Sequence, residues 1–141
     1  MSEYALDQAV RPVATPEPGR FAVELDDAWR ALGGVVNGGY STAVCLRALL
    51  EVVDAPDPLI VSTTFLRSAV PGPAEVVVEE VGRTRRNVTA QARLVQDGIE
   101  VVRTLATCTN LGEPARSTPS RRRPDFRTQP TASTPTPIRT S

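Results

Sequence analysis

Asn37-Gly38-Gly39-Tyr40 is the stretch of this chain whose residue types could do chemistry. It opens a run to about Asp54 that is apolar around most of a helical circumference. The first backbone N–H groups of a helix have no partner inside it, and glycines let a ligand oxygen approach them closely. The segment is therefore a candidate binding site for an oxygen ligand. The alternative is that the glycines only allow the helix to pack closely on a sheet.

Other reactive groups near this segment are few. The chain has no histidine, which removes the commonest general base and metal ligand. The Asn37 amide has no basic electron pair, although it can orient a water or cap the helix. Glu51 and Asp54 lie ~20 Å downstream at 1.5 Å per residue; we expect them to form a solvated stripe with Arg47, unless a dimer partner brings one closer. The remaining candidates are hydroxyls with no visible activating base, and structural roles are favoured for them: Ser41, Thr42, Thr63 and Thr64.

Composition limits the class of protein. The 141 residues suit one domain. The zero net charge hides an acidic part and a basic tail, because residues 1–110 hold ten Arg against fourteen acids, whereas residues 111–141 hold six against two. No stretch suits a signal peptide or a membrane span, so we expect a cytoplasmic protein. Cys45 and Cys108 lie in apolar segments without metal-ligand spacing and are expected to be buried, reduced thiols with no metal.

The periodicity of the chain predicts the elements that must position the site. The apolar helix needs cover on several sides, which one curling sheet can supply. Alternation and β-branched residues predict five strands, at Arg20–Glu24, Leu59–Arg67, Glu75–Val81, Asn87–Val95 and Ile99–Thr109. Pro56 and Pro58 separate the helix from the second strand. The order predicts an α+β fold in which roughly five antiparallel strands wrap one central helix.

The last two strands form a predicted hairpin, because Asp97-Gly98 suits a type I′ turn. Simple closure of this turn pairs Leu94 with Val101 and Ala92 with Arg103. An arginine fits badly on that apolar face. Either a bulge shifts the register, or the arginine reaches an edge or a partner.

Three segments follow from this pattern. Residues 1–18 mix charges with three prolines and are expected to form a flexible arm, and residues 19–111 form the folded domain. Residues 112–141 are rich in Pro, Thr and Arg and poor in large apolar residues, which predicts a disordered tail. An altered reading frame is another explanation for this abrupt change. Arg121-Arg122-Arg123 lacks interleaved aromatics, so no nucleic-acid partner is expected.

The order and spacing of several short motifs resemble one known family. They are Gly33-Gly34, Asn37-Gly38-Gly39-Tyr40, Thr64-Phe65-Leu66-Arg67, Pro71-Gly72-Pro73-Ala74-Glu75, Gly82-Arg83-Thr84 and Gln96-Asp97-Gly98. Across about ninety residues the chain is similar to the N-terminal half of the TesB-like (type II) acyl-CoA thioesterases and their thioesterase-like superfamily relatives. The resemblance implies a single hot-dog fold. It also places the principal catalytic residues of the family in a second repeat, which the sequence does not show.

The resemblance implies an acyl-CoA thioester as substrate or ligand and no further cofactor. The backbone donors of Gly38, Gly39 and Tyr40 would stabilise the oxyanion of a thioester, with Asn37 orienting. Arg83, Arg85 and Arg86 would bind the phosphates of coenzyme A, or else form a solvated basic loop. A single repeat leaves edge strands and apolar surface uncovered, so we expect a homodimer or pairing with another hot-dog subunit. The alternative is a non-catalytic acyl-CoA-binding or assembly module, a truncated remnant of a two-repeat thioesterase.

Overall fold

The computed structural model describes residues 5–112, which hold one long helix packed on one antiparallel sheet. The elements in chain order are α1 (Ala5–Ala9), β1 (Val13–Ala14), β2 (Arg20–Leu25), a 3-10 turn (Asp27–Trp29), α2 (Gly38–Val52), β3 (Asp57–Phe65), β4 (Gly72–Arg83), β5 (Asn87–Gln96) and β6 (Ile99–Thr109). In this part of the chain the sheet has six strands in the order β1-β2-β4-β5-β6-β3. The predicted α+β class is confirmed.

The sixth strand lies within the predicted arm. The two residues of β1 pair with Phe21 and Ala22 of β2, and Val10 is buried in the core. The tail predicted at 112–141 lies, apart from Gly112, outside the described residues.

Helix α2 begins and ends where the sequence predicts. Asn37 occupies the N-cap position, and the helix stops before the residues Asp54-Ala55-Pro56. The buried residues of α2 face the sheet: Tyr40, Ser41, Val44, Cys45, Ala48 and Leu49. Leu46 and Leu50 are only partly buried, and Val52 is exposed. The described chain therefore covers one side of an apolar helix and leaves another side incompletely covered.

The inner face of the sheet follows the predicted alternation. On β5 the residues Val88, Ala90, Ala92 and Leu94 are buried. The turn residues Asp97 and Gly98 both have positive φ, at 51° and 76°, as a type I′ turn requires.

A bulge in the β5–β6 hairpin places Arg103 on the outer face of the sheet. The register shifts between Leu94 and Val95, so that Leu94 pairs with Val102 and Arg93 with Arg103. Both arginines then lie on the outer face of the sheet, while Thr104 and Ala106 join the core. Of the two alternatives drawn from the sequence, the structure has the bulge, and Val101 is the extra residue.

The two edges of the sheet differ. β1 covers the free edge of β2, whereas β3 pairs only with β6 and is the other edge of the described sheet. Exposed apolar side chains are concentrated on and after β3: Leu59, Ile60, Val61, Phe65, Leu66 and Val70.

Candidate functional site

The helix cap engages most of the backbone N–H donors at the start of α2. The Asn37 side-chain oxygen accepts hydrogen bonds from the N–H groups of Gly39 (2.8 Å) and Tyr40 (3.3 Å). The Ser41 N–H donates to the Asn37 carbonyl at 3.0 Å. Within residues 5–112, the Gly38 N–H has no partner. Of the three predicted donors, one is free for a ligand and two are engaged by Asn37, which acts as a cap.

The space beside Gly38 is a groove of about 420 Å³ between the start of α2 and the end of β3. Most of its lining is apolar, and we call these residues the groove lining: Val35, Val36, Gly38, Ser41, Phe65, Leu66, Arg67, Ser68, Ala69 and Val102. A Cβ on Gly38 would lie 3.1 Å from Cζ of the Phe65 ring. Gly38 therefore serves both interpretations of the sequence, because it permits close packing and its N–H has no partner among the described residues.

Hydroxyl groups at the helix start are engaged in the first turn. The Ser41 hydroxyl donates to the Asn37 carbonyl (3.2 Å), and the Thr42 hydroxyl donates to the Gly38 carbonyl (3.0 Å). Thr63 exchanges a hydrogen bond with Thr104 of β6. No carboxylate belongs to the groove lining of the described chain, so one copy places no general base in the groove.

The Tyr40 side chain does not belong to the groove lining; it connects neighbouring elements of the fold. Its hydroxyl donates to the Ala9 carbonyl (2.8 Å) and accepts from the Asp26 N–H (3.1 Å). Its ring stacks on Trp29, with centroids 5.6 Å apart. Burial raises the pKa of Tyr40 above its ordinary value. Tyr40 thus ties α1 and the end of β2 to the first turn of α2.

The arginines predicted to bind phosphate lie at the opposite end of the helix. Arg83 makes a bidentate contact with Asp54 (3.0 and 3.3 Å) and an ion pair with Glu80 (2.8 Å). Hydrogen bonds from Arg83 lower the pKa of both carboxyls. Arg85 and Arg86 lie in the turn between β4 and β5. The fifteen residues of α2 span ~20 Å at 1.5 Å each. The three arginines therefore lie about one helix length away from Gly38 and do not belong to the same site.

Arg67 is the cation that sequence reasoning did not single out. It belongs to the groove lining and is exposed, and it has no ion pair among residues 5–112. Its position in the Thr64-Phe65-Leu66-Arg67 motif was visible, but its proximity to Gly38 depends on the fold. Glu51 pairs with Arg47 at 3.7 Å, as expected for the predicted solvated stripe, whereas Asp54, its third member, pairs with Arg83.

The two cysteines are free and buried. Desolvation raises the pKa of Cys45 to about 12 and also raises the pKa of Cys108, so both thiols are protonated and inert at neutral pH. Residues 5–112 contain no cluster of His, Cys, Asp or Glu that could hold a metal ion.

Comparison with known proteins gives the family. A profile of the acyl-CoA thioesterase N-terminal domain matches residues 25–109. The uncharacterised protein Rv0499 of Mycobacterium tuberculosis is 32% identical over an alignment that covers 82% of this chain and 42% of that protein. The chain thus spans less than half the length of the curated relatives that it matches. It belongs to the acyl-CoA thioesterase N-terminal domain family, within the thioesterase-like superfamily.

Solved structures agree on the fold. A candidate thioesterase II of Thermobifida fusca superposes with a TM-score of 0.72 at 32% identity, covering 82% of this chain and 44% of that one. A hot-dog protein of Alicyclobacillus acidocaldarius gives 0.70 at 19% identity, with 83% and 44% covered. A candidate thioesterase of Ralstonia eutropha, related to phenylacetic acid degradation, gives 0.61 at 23% identity, and there the match covers 77% of this chain and 92% of that chain. The fold is a hot-dog. None of the helices in residues 5–112 is long and apolar enough to cross a membrane.

Proposed function

We propose that this chain binds acyl-CoA thioesters in the groove beside Gly38 and hydrolyses them as a homodimer. The observation that carries the proposal is the unpartnered Gly38 N–H at one end of a largely apolar groove. A thioester carbonyl placed there would accept this hydrogen bond, and its acyl chain would lie against Phe65 and Leu66. Loss of one oxyanion donor typically costs ~2.7 to 4 kcal/mol in the transition state. The helix N-terminus also favours the developing negative charge.

Coenzyme A carries phosphates, and the groove offers one unpaired cation for them. Arginine binds phosphate through paired N–H donors. We assign this contact to Arg67 in preference to Arg83, because Arg83 already pairs with Asp54 and Glu80. Arg67 also lines the same groove as Gly38.

The proposed second copy would pair along β3. An exposed strand edge with apolar side chains favours addition of another strand. Ile60 is 66% and Phe65 is 55% exposed. A second copy would cover these side chains and could also supply the base that the groove of one copy lacks. The free, buried thiols fit a reducing compartment such as the cytoplasm.

A second candidate function is a non-catalytic acyl-CoA-binding or assembly module. The observation that favours it is the groove lining without a carboxylate. The two candidate functions predict different results for turnover of acyl-CoA, and both predict that acyl-CoA binds.

Steady-state assays with acyl-CoAs of several chain lengths, combined with calorimetric titration of octyl-coenzyme A, separate them. Octyl-coenzyme A is a thioether that cannot be hydrolysed; it lacks the carbonyl, so its binding reports the contacts of the acyl chain and the phosphates, whereas turnover reports the contact with the Gly38 N–H. Turnover and binding together support the thioesterase. Binding without turnover supports the module, and the absence of both excludes each of them. Arg67→Gln should weaken binding, while Arg103→Gln is the matched control, since Arg103 is an exposed arginine on the outer sheet face, paired with Glu100.

Light scattering after size exclusion tests the dimer. Ile60→Lys places a charge on the open β3 edge and should give monomers. Val13→Lys is the matched control, because Val13 is equally exposed at 63% but lies on the opposite edge of the sheet. A monomeric native chain, or dissociation by both variants alike, would contradict pairing through β3.

A further inference from the structure

One wall of the groove consists of the last residue of β3 and the short irregular segment that follows it. The irregular segment must be held in place by contacts outside the strand. Residues 65–69 form this groove wall, and the chain then runs through Val70 and Pro71 into β4. Leu66 and Val70 are each 50% exposed, and the small Ala69 side chain is buried in the core, so burial of large apolar side chains contributes little to fixing the segment. Its position depends instead on hydrogen bonds to its backbone.

Three sets of hydrogen bonds hold the wall. The Val101 carbonyl accepts from the N–H groups of Leu66 (2.9 Å) and Arg67 (3.1 Å), which continues the β3–β6 pairing one step beyond Phe65 and Val102. The Ala69 carbonyl accepts from the Val36 N–H at 2.8 Å, which ties the wall to the segment before α2. The third set comes from a side chain.

That side chain belongs to Gln96, the last residue of β5. Its Oε1 accepts from the Val70 N–H (3.0 Å), and its Nε2 donates to the Val70 carbonyl (2.8 Å). This is the two-bond exchange that a backbone residue makes with its partner in an antiparallel pair. Gln96 is only 8% exposed, so its amide is partly shielded from competing water, although Val70 itself is half exposed. The amide thus extends the sheet by one pairing, onto the end of the wall.

We propose that Gln96 is a positioning residue for the acyl-CoA groove. It fixes Val70 and, through the continuous chain, holds Arg67 and Phe65 beside Gly38. This role rests on the proposed function, since it concerns binding of the same ligand. Gln96 lies outside the groove lining, so it does not contact a ligand there. It affects binding by fixing the position of Val70 and of the wall that precedes it.

The test compares Gln96→Leu with a destabilising change far from the wall. Val88→Ala is the matched control, because Val88 is buried at the other end of β5 and its truncation lowers stability without touching residues 65–70. Affinity for octyl-coenzyme A is measured by calorimetry, and exchange of the Val36 and Val70 amide protons by NMR. Gln96→Leu should weaken binding about tenfold or more and speed exchange at both amides. Val88→Ala should lower the melting temperature but bind as the native chain does.

A conservative variant adds a readout that lost stability would not produce. In Gln96→Glu the carboxylate faces the Val70 carbonyl and binding should be weak at pH 8. Burial at this position and the facing Val70 carbonyl disfavour the charged form and raise the pKa of the new carboxyl. Once protonated it can donate to that carbonyl, so affinity relative to the native chain should recover towards pH 5.

The outcomes separate the two claims. If the native chain binds octyl-coenzyme A and Gln96→Leu binds equally well, or Val88→Ala is weakened to the same extent, the positioning role is overturned and the proposed function stands. If Gln96→Glu shows no recovery at low pH, the amide contact with the Val70 carbonyl is not what positions the wall, and the role is likewise overturned. If the native chain neither binds the probe nor hydrolyses acyl-CoAs, the proposed function fails and this role fails with it; if it hydrolyses them without binding the probe, the same comparison of variants is made on KM.

Discussion

Removal of the Asn37 side chain tests whether this residue is chiefly a helix cap. Asn37→Ala removes the acceptor for two backbone donors, the N–H groups of Gly39 and Tyr40. Loss of an N-cap of this kind typically costs ~1 kcal/mol, within a range of about 0.5 to 2. The shorter of the two bonds is 2.8 Å and the other 3.3 Å, so we expect a value near the middle of that range. For a domain of this size the melting temperature should fall by about 4 °C.

Asn37→Asp is the informative companion. Aspartate keeps the capping oxygen and adds negative charge at the positive end of α2, which stabilises exposed sites by ~0.3 to 1 kcal/mol. We therefore expect this variant to be as stable as the native chain or slightly more stable. Urea denaturation followed by circular dichroism, at one fixed protein concentration, measures both changes.

Asn110→Ala provides a matched control, since the Asn110 side chain also accepts a backbone hydrogen bond, from Gly112 at 3.1 Å, but caps no helix in the part of the chain up to Gly112 that the structure describes. Its effect should stay within ~0.5 kcal/mol, as for most surface changes. An unchanged denaturation midpoint for Asn37→Ala, or a clear loss of stability in Asn37→Asp, would refute the capping role. If Asn37→Asp keeps its stability but loses turnover, Asn37 also orients a reacting group.

Three further predictions follow from contacts elsewhere in the domain. Tyr40→Phe should lower stability by ~1 to 3 kcal/mol in urea denaturation, because it leaves the Asp26 N–H and the Ala9 carbonyl without this partner; an unchanged midpoint would contradict it. Cys45 has its pKa raised to about 12 by burial, so a thiol reagent at pH 8 should label it only at the rate of unfolding, and stability should decline as pH rises above about 9; rapid labelling of the folded chain would refute this. Arg83→Gln should let the pKa of Asp54, now lowered by Arg83, return towards its ordinary value in an NMR titration, and no change would show that the contact is absent in solution.

Sequence reasoning located the regular elements because their signals are local. Alternation on β5 and the Asp97-Gly98 turn both correspond to the observed hairpin. The register differs by one residue beyond the bulge. The extra residue, Val101, also contacts a distant segment, because its carbonyl accepts hydrogen bonds from the N–H groups that follow β3, about thirty-five residues earlier in the chain. Only the misplaced Arg103 hinted at this arrangement.

The sequence predicts only the part of the site whose signals are local. A helix start rich in glycine is visible in sequence, and so is the preference of asparagine for the cap position. Capping rules would assign the Gly39 and Tyr40 donors to Asn37, which leaves Gly38 as the free donor. Arg67 shares the groove lining with Gly38, 29 positions away, and Gln96 forms hydrogen bonds with Val70, 26 positions away. No motif encodes such distances, so these two residues required the fold.

The unequal edges of the sheet bear on how copies of this chain would associate. β1 is only two residues long and lies between prolines, Pro12 and Pro16, which offer no N–H for a further strand. β3 is nine residues long and carries exposed apolar side chains. A chain with two open edges can assemble without limit, whereas a chain with one open edge is complete once two copies pair through it. The groove beside Gly38 lies at the end of β3, so the surface that would pair and the surface that would bind adjoin each other. Assembly and ligand binding should therefore be coupled, and a change confined to the β1 edge should affect neither.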